Sequence, residues 1–147
     1  MRSYVVLVAL VALPPLAPAA DPPKYRVLAQ DRGRVTVVGP DGKVEWDFEC
    51  KYNSHDIHLL PGGNLLLHTG PATVTEVTPD KKVVWRYEAR PKDGYTGRVE
   101  VHAFQRLDDG TTMVAESGNR RIVEVDRAGK IVWERPCTGQ VFRARRR

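Results

Sequence analysis

Hydrophobic and polar residues alternate with a period of two in short stretches along most of the chain. The alternation is clearest in the segments 44–48, 83–87 and 131–133, which follow turn-forming sequences such as Asp41-Gly42. Alternation over short runs bounded by Gly, Pro and Asp is typical of half-buried antiparallel strands. No segment after the first twenty residues has the period of an amphipathic helix, so the pattern predicts an all-β fold.

One short motif recurs three times and accounts for every tryptophan of the chain. Each copy is a turn followed by a lysine, one or two hydrophobic residues and a tryptophan, and Gly42 and Gly129 occupy the turn in the first and third copies. The tryptophans of this repeat, spaced 39 and 48 residues apart, are Trp46, Trp85 and Trp133. A large ring at one fixed place in each repeat indicates packing between repeats in preference to a ligand-stacking site.

A second pair of segments aligns independently of the tryptophan motif. His55 matches His102 and Gly63 matches Gly110, both at a spacing of 47 residues. A unit of four short strands that recurs every 40 to 48 residues is typical of a β-propeller blade. The sequence therefore predicts a partial β-propeller, an open arc of about three antiparallel four-stranded blades. A two-sheet sandwich is the alternative, but it would not require the same tryptophan three times.

The repeats divide the chain after its first twenty residues into segments. We place the propeller at 21–136, with blades at 25–53, 54–100 and 101–136, and a basic tail at 137–147. The first repeat has only three predicted strands, because its innermost strand is missing. Closed propellers typically have four to eight blades, so the chain resembles the opening part of a longer propeller.

Residues 1–20 have the layout of a secretory signal peptide. Arg2 is followed by an apolar run over 4–13, two prolines and a small-residue stretch at 17–20. This predicts cleavage and export, to the periplasm or outside the cell, with no transmembrane span left after cleavage. An uncleaved anchor is the alternative, but the apolar run is shorter than the roughly 20 residues that a spanning helix needs.

The net charge of +5 comes from the two ends of the chain. Arg2 and the four arginines within 143–147 account for all of it, and the repeat body between them is neutral. A neutral body excludes a basic face for nucleic acid. The tail itself has two interpretations, a patch for an acidic surface or an unstructured end, and we favour the second.

Two of the motifs resemble known propeller repeats. The Gly-Lys-hydrophobic-hydrophobic-Trp motif, as at 129–133, resembles the repeat of quinoprotein-type (pyrroloquinoline-quinone-like) β-propellers of exported bacterial proteins. The segment 114–126, with its Gly-Asn-Arg-Arg-Ile core, is similar to the NHL propeller repeat, and arylsulfotransferase-like propellers share some of these features. The quinoprotein resemblance implies pyrroloquinoline quinone with calcium only in a complete ring, and we predict no cofactor for this chain.

Candidate chemistry is concentrated at the start of the predicted innermost strands. His55 and His102 hold equivalent places there, where they would face the central channel, and they are the candidate catalytic residues. Asp56 could orient His55 as a base, and His58 completes the candidate binding set. The alternative is that these histidines only cap strand entrances. We predict no metal site, since positions i and i+3 of a strand point to opposite faces.

Cys50 and Cys137 each follow a repeat tryptophan by four residues, so they hold equivalent places two blades apart. A disulfide needs Cα atoms within about 7 Å, so we predict no bond between them. We interpret the chain as a non-enzymatic extracytoplasmic scaffold that binds an unknown protein or small molecule and could self-associate through its open blade edges. The alternative is a remnant or subunit of a quinoprotein-like or arylsulfotransferase-like enzyme, in which a channel histidine would act as nucleophile.

Overall fold

A computed structural model describes residues 25–31 and 33–147, which form eleven strands and no helix. The strands are β1 (Val27–Asp31), β2 (Arg34–Val38), β3 (Val44–Glu49), β4 (Ile57–Leu59), β5 (Leu65–Gly70), β6 (Thr73–Val77), β7 (Val83–Glu88), β8 (Val101–Arg106), β9 (Thr112–Glu116), β10 (Arg121–Val125) and β11 (Ile131–Pro136). The prediction of an all-β fold is confirmed. The described part of the chain has no helix that could cross a membrane, and the predicted signal peptide lies outside it.

The strands form three separate antiparallel sheets in which chain neighbours are also sheet neighbours. Their orders are β1-β2-β3, β4-β5-β6-β7 and β8-β9-β10-β11, and we call them blade 1, blade 2 and blade 3. The sheets do not close into a barrel. Among the described residues β1 has no partner on its inner side, so blade 1 lacks the innermost strand that the repeat alignment also leaves out.

The turn before each outermost strand repeats in conformation as well as in sequence. Gly42 and Gly129 have φ values of +78° and +82°, and the equivalent Lys81 has a φ of +65°. Each amide donates to the carbonyl three residues earlier. A left-handed residue is ordinary for glycine but costs a lysine about 1 kcal/mol or more, so the repeat imposes this turn even where the sequence supplies no glycine.

Two of the three repeat tryptophans join neighbouring blades. The Trp46 Nε1–H donates to the Pro79 carbonyl of blade 2 at 2.7 Å, and the Trp85 Nε1–H donates to the Asp126 carbonyl of blade 3 at 3.2 Å. The Trp85 ring is only 5% exposed. The equivalent Trp133 on blade 3 is 46% exposed, because no described blade follows it. The prediction of packing between blades is confirmed for the first two tryptophans.

The hydrophobic core consists of two clusters, one at each junction between blades. The larger lies between blades 2 and 3, and the smaller lies between blades 1 and 2. The fully buried members of the two clusters (below 2% exposed) are Leu66, Val74, Val101, Phe104, Val114, Val123 and Val125 in the first and Val35, Leu67 and Val77 in the second. The fold is therefore held together by contacts between sheets.

An ion-pair group reinforces the junction of blades 2 and 3. Glu76 on β6 is 5% exposed and accepts hydrogen bonds from Arg106 on β8 at 2.6 Å and from Arg127. The Arg106 guanidinium also lies 4.8 Å from the centre of the Trp85 ring. Carboxylate and aromatic ring thus enclose one cation from the next blade.

Removing the ring that joins blades 2 and 3 tests this account. We expect Trp85→Ala to lower the free energy of unfolding by about 3–5 kcal/mol, since it opens a cavity and removes the hydrogen bond from the indole to the Asp126 carbonyl. The matched control Trp133→Ala should cost less than about 1 kcal/mol at low protein concentration, because that ring is half exposed. Urea unfolding measures both. Equal losses in the two variants would contradict the account.

Both cysteines are free thiols. The buried Cys50 donates to the carbonyls of His68 and Tyr52 at 3.1 and 3.3 Å, and burial raises the pKa of its thiol. Cys137 is partly exposed. We expect a thiol reagent at pH 8 to modify Cys137 at least tenfold faster than Cys50 in the folded protein, and both equally in urea. Absence of any reactive thiol in a folded, non-reduced monomer would show that the two are paired.

Candidate functional site

The candidate site lies where β4 and β8, the innermost strands of blades 2 and 3, begin. A histidine lies at the start of each strand, His55 just before β4 and His102 near the beginning of β8. Their ring centres lie 4.9 Å apart. The structure therefore brings together two residues that are 47 positions apart in sequence. His55 is exposed and His102 is half-buried. We call the site the axial cluster and define it as His55, Asp56, His58, His68, His102, Phe104 and Arg145.

The innermost strands also bring a third histidine into contact with the first two. His68 on β5 is 0% exposed, and its ring centre lies 6.1 Å from that of His55 and 4.8 Å from that of Phe104. Sequence reasoning missed His68, because a lone histidine in an apolar strand carries no motif. A signal was available in the strand pattern: residues 65, 66 and 67 are all leucine, so a polar side chain at the next position of this buried strand needs a partner.

Hydrogen bonds fix the tautomer of the buried His68. Its Nδ1 lies 2.9 Å from the Ser54 hydroxyl oxygen, and that hydroxyl donates its proton to the Asp56 carbonyl. Since the hydroxyl proton is already used, Nδ1 carries the hydrogen and donates to Ser54. The other ring nitrogen, Nε2, is then an acceptor. It is buried and has no hydrogen-bond partner among the described residues.

The Asp56 carboxylate is fully occupied by neighbours other than His55. It accepts from His58 Nε2 at 2.9 Å, from Arg145 Nη2 at 2.9 Å and from the Phe104 amide at 3.4 Å. Residues two apart on a strand point to the same side, which is why Asp56 faces His58 and not its neighbour in sequence. The pairing of His55 with Asp56 that the sequence suggests is therefore not the one the structure contains.

Charge and burial set the protonation of the cluster. Burial alone would raise the pKa of Asp56, but hydrogen bonds from His58 and Arg145 outweigh it and lower that pKa to about 2. Burial, followed by repulsion from His55, lowers the pKa of His68 to about 4. The same two causes, in the same order, lower the pKa of His102. At neutral pH the Asp56 carboxyl group is therefore ionised, and the His68 and His102 rings are neutral.

The tail contributes two residues to the cluster that the sequence did not mark. Arg145 donates to Asp56 and to the Phe104 carbonyl at 3.0 Å, and the Phe142 ring lies 4.8 Å from that of His102. Residues 137–147 form no regular secondary structure, yet they pack along β8. A run of arginines at a chain end gives no sequence signal for such a contact.

No group of three or more His, Cys, Asp or Glu side chains in the described segments is arranged to hold a metal ion. His55 and His58 have different neighbours: His55 contacts His102, and His58 lies 5.4 Å from the Phe104 ring. The cluster can supply ring nitrogens, aromatic surfaces and a guanidinium. These groups suit hydrogen bonding and stacking.

The comparisons with known proteins show the fold. No known protein family and no curated protein matches the chain in sequence. In structure it is similar to the WD40 β-propeller domain of Doa1, with a TM-score of 0.61 and 13% identity over 78% of this chain and 38% of that one. The chain therefore has a β-propeller fold.

Two bacterial structures are similar to the same extent. A protein of unknown function from Bacteroides caccae has a TM-score of 0.58 at 16% identity and covers 79% of this chain and 43% of its own. A catalytically inactive histidine-to-alanine variant of virginiamycin B lyase from Staphylococcus aureus, with quinupristin, has a TM-score of 0.55 at 12% identity and covers 85% and 45%. The chain thus spans less than half the length of these structures.

The buried neutral His68 makes stability depend on pH. The folded-state pKa of His68, about 4, lies below the usual histidine pKa of 6.5, so between these values the unfolded chain binds a proton that the folded chain does not. We expect the free energy of unfolding to fall by about 1.4 kcal/mol per pH unit in this window, up to about 3 kcal/mol by pH 4.

The variant His68→Gln should flatten this slope in urea titrations between pH 7 and pH 4. Asp56 contributes to the slope from about pH 5 downwards, where the unfolded chain begins to bind a proton that the folded carboxylate does not, and this contribution is common to both proteins. Identical slopes for the wild type and the variant would show that His68 is not the group responsible.

Proposed function

We propose that the chain is a non-enzymatic binding scaffold and that the axial cluster contacts its ligand. The observation that carries this proposal is the occupied carboxylate of Asp56, which bonds to His58, Arg145 and the Phe104 amide and so does not orient His55 as a base. What the cluster offers is unused hydrogen-bonding capacity. His68 Nε2 and His102 Nδ1 are both buried without a partner in the described part of the chain.

The chemistry of the cluster favours a small aromatic ligand with a hydroxyl or amide group. The exposed His55 ring and the neighbouring Tyr52 ring, 6.3 Å apart between centres and nearly perpendicular, provide surfaces on which a flat ring can stack. A hydroxyl on that ring could hydrogen-bond to a nitrogen of the exposed His55 ring. We further propose that binding takes place outside the cytoplasm, on the strength of the signal-peptide layout of residues 1–20, and without a cofactor.

A catalytic role is the second candidate, and one observation favours it. His55 is exposed beside His102 at the innermost strands, the place where the sequence predicts a channel nucleophile or base. The virginiamycin B lyase structure is of a variant inactivated at a histidine, which shows that a protein of this fold can depend on one. For this chain, turnover is a proposal that rests on two histidines without a dedicated carboxylate.

Phenol is the probe that separates the two candidates. We expect phenol to shift the ring resonances of His55 and His102 in NMR titrations of the wild type, and the shifts to weaken at least fivefold in His102→Gln. The matched control Lys43→Gln, on the outer turn of blade 1, should behave as the wild type does.

The same samples are then assayed for sulfuryl transfer from 4-nitrophenyl sulfate to phenol. We expect no release of 4-nitrophenol above the buffer rate. Release that is abolished by His55→Gln or by His102→Gln would overturn the scaffold proposal in favour of the enzyme. If phenol causes neither resonance shifts nor turnover, the proposal that the axial cluster binds phenol-like ligands is wrong.

A further inference from the structure

The tail continues the repeat into the first strand of another blade. Phe142 follows Trp133 by nine residues, as His55 follows Trp46, and a cysteine lies four residues after the tryptophan in both cases. The segment 141–147 therefore holds the place that 54–60 holds in blade 2, where β4 forms. In sequence terms it corresponds to an innermost strand.

The contacts of the tail agree with this equivalence. The ring of His102 lies 4.9 Å from that of His55 on the preceding blade and 4.8 Å from that of Phe142 on the tail, so the three rings form a regular series. The backbone amide of Arg146 donates to Gln105 Oε1 at 2.9 Å, and Gln105 Nε2 donates to the backbone carbonyl of Arg146 at 3.4 Å. The tail thus runs alongside blade 3 where the next blade would begin.

The ion pairs repeat in the same order. Glu76 lies opposite Trp85 and accepts from Arg106 of the next blade, and Glu124 lies opposite Trp133 and pairs with Arg146 of the tail at 3.4 Å. The tail therefore supplies the innermost strand of a following blade and none of the other strands of that blade. The remaining face of blade 3 forms a groove of about 510 Å³, lined by Met113, Ile122, Glu124, Trp133 and 143–146.

Blade 1 lacks, among the described residues, the kind of strand that the tail supplies beside blade 3. In the described chain β1 has no inner neighbour, whereas the equivalent strand β5 of blade 2 pairs with β4. β1 contains no basic residue and ends in Asp31, so an arginine-rich strand can lie beside it without repulsion. One strand is missing from blade 1 and one strand is supplied beside blade 3.

We propose that blade 1 of a second copy of this chain packs on the open face of blade 3, and that residues 141–147 pair with the β1 of that copy as its innermost strand. The half-exposed Trp133 then has a following blade, as Trp46 and Trp85 already have. This is strand addition to an exposed sheet edge, with main-chain hydrogen bonds supplying affinity.

The repeat fixes the register of the proposed pairing. Ile57 of β4 lies opposite Leu67 of β5. Ala144 holds the place of Ile57 in the repeat. Ala29 holds the place of Leu67, since they lie opposite the equivalent threonines Thr36 and Thr75 on the neighbouring strands. Ala144 should therefore lie opposite the partner's Ala29, with Cα atoms about 4.5–5.5 Å apart, which is within reach of a disulfide.

Mixing two variants that each carry one introduced cysteine besides the buried Cys50 tests the contact and its register together. Ala29→Cys and Ala144→Cys are each made in a Cys137→Ser background, with tags of different length, and a 1:1 mixture is oxidised with copper–phenanthroline. We expect a mixed disulfide at least tenfold more abundant than the one formed when Leu28→Cys, shifted by one residue, replaces Ala29→Cys. Equal yields from the two mixtures would overturn the register.

Sedimentation tests the contact without added cysteines. We expect the 147-residue chain to sediment as a dimer or a larger assembly at about 100 μM, and Trp133→Glu to shift it to the monomer with its urea midpoint unchanged. Lys82→Gln, which changes the charge by one unit as Trp133→Glu does, lies on the turn of blade 2 that faces blade 1 of the same chain and should leave assembly intact. A wild type that remains monomeric at this concentration would overturn the proposal, and so would a Trp133→Glu variant that assembles like the wild type.

Discussion

The packing of one sheet on the next is the constraint on which this fold depends. A small sheet needs a buried hydrophobic face to be stable, and both hydrophobic clusters of this chain lie between blades. Trp46 and Trp85 make these contacts specific, because each ring packs at a junction while its N–H bonds to one carbonyl of the following blade. The core, the ion pairs and the axial cluster all lie along these junctions.

Sequence reasoning succeeded where a feature repeats. The period-two segments and the tryptophan motif predicted the three sheets, and the strands lie within a few residues of their expected places. The motif could be recognised even in the second copy, where Lys81 stands in place of the glycine. The two flanking strands impose the same left-handed turn conformation there. The lack of an innermost strand in blade 1, among the described residues, was likewise predictable, because the first repeat has three predicted strands where the other two have four.

The candidate site could be predicted only in part. His55, His58 and His102 were found because they recur or cluster in sequence, and Asp56 because it adjoins one of them. Its actual partners could not be inferred, since Arg145 comes from 89 positions away and is brought in by the path of the tail. His68 was missed for a related reason: its role depends on Ser54, a residue that only the fold places beside it.

The Arg106 cation at the junction of blades 2 and 3 also determines which blade can pack next to which. Arg106 needs the carboxylate that Glu76 provides, whereas the places equivalent to these two at the junction of blades 1 and 2 hold the apolar Leu59 and Val37. A blade carrying the arginine would leave a charge unpaired against blade 1. Each junction therefore rejects the wrong neighbour, so the repeats, although alike in outline, are not interchangeable modules.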